Sequence, residues 1–220
     1  MLSKLQFSEL LPYWDVLAWG IGFTIVLTAV STAAGILVGT FGAWARTFGP
    51  KWIGMVVATY VELIRNTPFI VQLFFIFFGL PAAGVKLSES QAAFIAMTIN
   101  LGAYSTEIIR AGIEAVPKGH IEAAASLALS RFEIFRHVIM KQAFAKIWPA
   151  LSSQIIIVML GSAVVSQISA EDLTYAATFI QSRNFRAFEA YFFAAAVYLA
   201  LSIAVRALLR GLGNRIFPKV

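Results

Sequence analysis

The sequence predicts an all-α, polytopic membrane protein with five transmembrane helices. Composition is the first ground. Of the 220 residues, 60% are hydrophobic and 13% charged, whereas an ordinary soluble domain carries roughly 25% charged residues. Segmentation is the second: five apolar stretches on the scale of the ~20 residues that cross a bilayer alternate with polar turns. The third is placement of charge, because basic residues gather on alternate turns. A chain this short fits one transmembrane domain over 1–220. It has no cysteine, hence no disulfide and no cysteine-based metal or redox site. The net charge of +6 reads as a bias of cytoplasmic loops, not as a nucleic-acid surface.

Residues 1–15, MLSKLQFSELLPYWD, lack the basic start, apolar core and small-residue site of a signal peptide. They read as an amphipathic lead-in or a frayed terminus. Leu2, Leu5, Leu10 and Leu11 suit a membrane surface, and Tyr13 and Trp14 its interface. No residue from Val16 to Ala45 is charged, which sets the first span at 16–45. Within it Ser31, Gly35, Gly39 and Ala43 recur every four residues. That is a small-residue ridge where another helix can come close.

The second span, 52–80, contains Glu62 and Arg65, three apart and able to pair. A charge at the bilayer centre costs about 2.5–3.5 kcal/mol. The pair therefore faces protein or water, or lies near the cytoplasmic interface and fixes depth. Pro68 removes a backbone donor just beyond, and discontinuous helices of this kind line transport paths. The third span, 90–111, places Asn100, Tyr104 and Glu107 on one face. Glu107 and Arg110 repeat the earlier acid–base spacing. These residues serve either a path or interhelical packing.

Residues 113–146 are the longest polar interruption, read as two short helices joined near 128–130. Such a loop is a solvated spacer or a handle for a partner. The fourth span, 147–170, is uncharged, with Ser162 and Gln167 among its polar positions. An external segment, 171–189, leads to the fifth span, 190–205, and a basic tail. Five spans place the 46–51 turn, the 113–146 loop and the tail on one side. Counting from Arg110, that side holds twelve Lys and Arg, and the other holds four: Lys4, Lys86, Arg183 and Arg186. The positive-inside rule then puts the loop in the cytoplasm and the N-terminus outside.

Within the loop, Glu122-Ala123-Ala124 is followed after three residues by Ala128 and after nine more by Val138. This resembles the EAA loop of ABC importer permeases, E-A-A-x3-G-x9-I-x-L-P. The segments YVELIRNTPFIVQLFFIFFGLP at 60–81 and YSTEIIRAGIEAVPKGHIEAA at 104–124 resemble its polar amino-acid branch. The departures are Ala128 for glycine, Val138 for isoleucine and Met140-Lys141 for L-P. Alanine at a turn implies a more helical link or some strain, and Lys141 leaves the second helix unbroken.

The resemblance implies the type I ABC importer permease fold in a bacterial cytoplasmic membrane. It implies a second permease, the same or homologous, and two copies of an ATPase. It also implies an extracytoplasmic amino-acid-binding protein that meets segments 81–90 and 171–189. ATP and Mg belong to the ATPase: this chain has no G-x4-G-K-[ST] loop, and enzyme function is not expected of it. Glu122, Ala123, Ala124, Ala128, Ser130 and Arg131 would couple to the ATPase. Phe132, Phe135 and Ile139 would pack back on the spans. An amino acid presents a carboxylate and an ammonium. The expected pathway residues are therefore Glu62, Arg65, Asn100, Tyr104, Glu107, Ser162 and Gln167. The competing reading is an ion-gradient-driven carrier or channel.

Overall fold

The computed structural model describes residues 5–217, all helix and turn with no strand among them. A 3-10 turn, Phe7–Tyr13, leads into α1, Trp14–Phe48. There follow α2 (Lys51–Arg65), α3 (Phe69–Ala82), α4 (Glu89–Glu114) and α5 (Lys118–Ser126). The chain continues through α6 (Arg131–Ile168), α7 (Leu173–Asn184) and α8 (Ala187–Ile216). Helices α1, α4, α6 and α8 are each long and apolar enough to cross a membrane. The bent pair α2–α3 is together long and apolar enough to count as a fifth span.

Helices α1 and α4 form the backbone of the bundle. Ser31, Gly35, Gly39 and Ala43 are all buried along the contact. A Cβ on Gly35 would stand 2.9 Å from Leu101 Cβ, and one on Gly39 would collide with Ser105. The helices meet backbone to side chain, so only glycine fits at these two positions. Three apolar clusters stack along the bundle. One joins Leu10, Leu17, Leu173 and Ile180. The next joins Leu73, Met97, Leu101 and Val165, and the last Ile109, Ile134, Ile139 and Ile147.

Several expectations need correction. The 52–80 span is not one helix: α2 and α3 meet at 111°. Pro68 lacks the N–H that would continue the ladder and disfavours helical backbone at Thr67. The second half of the 113–146 loop is no separate short helix. It runs straight into the fourth span as α6, through Lys141 and a π-helical stretch, Ile134–Ile139. The external segment is mostly α7, whose Leu173, Ala176, Ala177 and Ile180 are buried. The last helix starts at Ala187 and continues to Ile216, well into the basic tail. In the lead-in, Leu10 is buried and Leu11 exposed, while Leu2 lies outside the described residues.

Candidate functional site

The break between α2 and α3 builds the site. Stopping a helix leaves carbonyls without partners, and in an apolar setting each must find a donor. Gln72, buried one turn into α3, supplies it. Its Nε2 donates to Ile64 O at 2.7 Å and to Thr67 O at 3.0 Å. Its Oε1 accepts from Asn100 Nδ2 at 3.0 Å, tying the break to α4. Tyr60 donates to Ile99 O at 2.6 Å and clamps α2 onto the same helix.

Beside this junction opens a cavity of about 460 Å³. Its polar lining comes from Thr67, Asn100, Tyr104 and Gln154; Pro68, Met97 and Val158 are among its apolar walls. Gln154 lines this cavity, and its side chain makes no hydrogen bond among the described residues. The Arg65 guanidinium lies over the Tyr104 ring, 5.5 Å from its centroid. One wall thus offers amide donors and acceptors, a phenol and a nearby cation. That set suits a small zwitterion.

The expected pathway residues separate into three groups. Asn100 and Tyr104 line the cavity. Glu107, one turn further along α4, pairs with Arg46 of α1 and, at 3.0 Å, with Arg110; Arg110 also pairs with Glu114. This network joins α1 to α4. Glu62 and Arg65 do not pair as expected: Glu62 accepts from Asn66 Nδ2 at 2.9 Å, and Arg65 turns to Tyr104. Ser162 is fully buried and donates to Met159 O at 2.7 Å, and Gln167 is exposed on the 3-10 turn; neither lines the cavity. Gln72 and Gln154 were missed as candidates. An amide inside the apolar run FIVQLFF is a detectable signal, since burying one without partners is costly.

The loop is held from behind. His120 and Gln142 share a 2.7 Å hydrogen bond, and Lys146 donates to Ala115 O. Ala124 and Ile139 are buried in the chain's own core, which corrects the expectation that Ala124 is presented outward. Glu122, Ala123 and Ala125 are exposed, and Leu127 is 77% exposed. Phe132 is exposed and does not pack back, whereas Phe135 meets Phe48 edge-on at 5.7 Å. Ala128 adopts φ +58°, so the strained alternative holds at this turn. Ser130 starts α6 with a capping box: its hydroxyl accepts from Glu133 N–H, and Glu133 accepts from Ser130 N–H at 2.8 Å. Arg131 edges an apolar groove with Trp44, Phe48, Ile121 and Phe132.

A family described as "Binding-protein-dependent transport system inner membrane component" matches residues 31–218. The chain belongs to this family of permeases. The permease is 34% identical over 215 residues to the glutamine transport system permease protein GlnP of Escherichia coli K12, covering 96% of this chain and 98% of that one. It is 38% identical over 172 residues to the L-cystine transport system permease protein TcyB of Bacillus subtilis 168, covering 78% and 74%. Among solved structures, a chain of an amino acid ABC transporter crystallised with histidines superposes with a TM-score of 0.86 at 38% identity. That match covers 96% of the permease and 99% of the solved chain. The inward-facing MetNI methionine ABC transporter superposes at 0.72 with 20% identity, which shows the fold alone. The relatives agree with the amino-acid branch that segments 60–81 and 104–124 resemble.

Proposed function

We propose that the permease is the membrane-spanning subunit of an ATP-driven amino-acid importer and forms half of its pathway. The cavity at the α2–α3 break carries this reading. It sets the unengaged Gln154 amide and the Tyr104 phenol beside a helix interruption, the kind of break that lines transport paths in bilayer proteins. Asn100, Tyr104 and Gln154 contact the amino acid, and Arg65 attracts its carboxylate. Glu107, Arg46 and Arg110 hold α1 and α4 in register at one end of the cavity.

In the same reading a second permease, identical or homologous, completes the path. Two ATPase copies, holding ATP and Mg, grip the exposed face of α5 at Glu122 and Ala123. Ser130 and Ala128 shape the turn that hands their motion to α6, and Arg131 borders the contact. A binding protein delivers substrate at the opposite end, near residues 81–90 and the α7–α8 turn, where Phe185 is 89% exposed. The twelve-to-four charge count supports a cytoplasmic loop, an outer N-terminus and an inner C-terminus. The single transmembrane domain spans the chain.

The test is uptake of a panel of labelled amino acids by the reconstituted transporter. Asn100→Ala and Gln154→Ala each raise KM for the transported amino acid about tenfold, the loss of one to two hydrogen bonds, with subunit assembly intact. Unchanged KM and rate in both variants would remove the cavity from the path.

A further inference from the structure

We propose that the permease carries a binding site for an anionic phospholipid headgroup, set between α6 and α8 at the end marked by Arg206 and Arg210. The proposal rests on the membrane-spanning reading but not on ATP coupling or on the identity of the solute.

A second cavity, of about 500 Å³, opens between these helices. Trp148, Pro149 and Ser152 line it from α6, and Arg206, Arg210 and Asn214 from α8. No carboxylate lines it, and neither arginine is ion-paired among the described residues. The two arginines are four residues, one helical turn, apart and line the same cavity, so both forks can reach one phosphate. Ser152 of α6 lines the same cavity, and its Oγ is buried without a hydrogen-bond partner among the described residues. A buried hydroxyl in that state gains from any acceptor that enters.

The surroundings select a lipid. The Trp148 indole donates to Leu209 O at 2.8 Å, and its ring meets Phe217 at 5.6 Å. This is a fixed aromatic wall of the type found at headgroup level. On the same stripe of α8, one and two turns deeper, Ile203 and Leu199 are 60% and 62% exposed, an apolar track for acyl chains. Orientation agrees as well. Gln154, Val158 and Gly161 face the solute cavity, whereas Trp148, Pro149 and Ser152 face this one. At ~100° per residue these are opposite sides of α6. The site therefore looks away from the proposed path and toward the bilayer.

The test is native mass spectrometry of the purified transporter from nanodiscs holding equal parts phosphatidylglycerol and phosphatidylcholine. Wild type retains phosphatidylglycerol over phosphatidylcholine by about tenfold, in keeping with two arginines near an anionic headgroup. R206Q/R210Q brings the ratio to about one, R206K/R210K preserves most of it, and millimolar inorganic phosphate does not displace the lipid. The proposal is overturned by equal retention of both lipids in wild type or by an unchanged ratio in R206Q/R210Q. Displacement by inorganic phosphate overturns it too, since the site would then take a free anion. So does loss of a protein subunit from R206Q/R210Q with the lipid ratio intact. If that variant does not assemble, Ser152→Phe decides, because it fills the cavity with both charges kept. A fall in its ratio supports the site and no change refutes it. Lipid retention is read without uptake, so failure of the transport reading leaves a distinct signature.

Discussion

Asp172 stands at the start of α7 with no exposed surface, yet its carboxylate is well bonded. It accepts from Tyr175 N–H and from the Tyr198 hydroxyl, each at 2.8 Å. Burial pushes its carboxyl up from 3.8 to about 6, with those hydrogen bonds opposing the rise. A folded-state value above the unfolded one means that the folded state holds the proton more tightly. The contribution of Asp172 to stability is therefore greatest below about pH 4, falls as pH rises toward 6, and is level above that. Thermal unfolding of wild type against Asp172→Asn checks this. Relative to the variant, wild type loses stability between those pH values, and parallel profiles would contradict it. At this scale the sequence was only partly legible. Gln72 and Gln154 were visible as amides among apolar residues. Their roles needed the break at Pro68, which places the ends of two helices beside α4. The Glu62–Arg65 spacing pointed to a pair that Asn66 and Tyr104 take apart by offering each member another partner.

At the scale of elements, period and charge carried most of the information. The small-residue ridge on α1 was readable because its four-residue repeat has a direct geometric meaning. Gly39→Val puts new atoms into Ser105, and overpacking of this kind costs about 1–3 kcal/mol. Gly22→Val is the control, since nothing lies within 4 Å of its added Cβ. Unfolding of purified protein should show Gly39→Val markedly less stable, with Gly22→Val close to wild type; equal stability would place the α1–α4 contact elsewhere. The continuity of α6 was harder to read. Its first turns carry Arg131, Glu133, Arg136 and His137, which look like loop in a hydropathy profile. Charge marks where a helix leaves lipid, not where it ends. The same limit hid α7, whose modest apolar face packs on α1 and α8 and never has to cross a bilayer.

Across the whole molecule, the permease has a closely packed α1–α4 pair, a broken α2–α3 pair at its side, and one long helix, α6. That helix runs from the turn after Ala128 past the cavity wall at Gln154. Its first turns are held to the core by Ile134 and Ile139, which share one buried cluster with Ala124 of α5. The family was legible in the EAA-like loop and its flanking segments, and the four unbroken spans in the apolar segmentation; the 111° break of the α2–α3 pair was not. The outward face of α5 was not, since Ala123 and Ala124 look alike until the fold buries one and exposes the other. The central claim is that the exposed face of α5 is gripped by an ATPase. The permease has no native cysteine, so a single Ala123→Cys reports on that face alone. In the assembled transporter, this cysteine should resist a water-soluble thiol reagent, crosslink to the ATPase, and label about tenfold faster once the ATPase is stripped away. Equal labelling in both states, with no crosslink, would contradict the account.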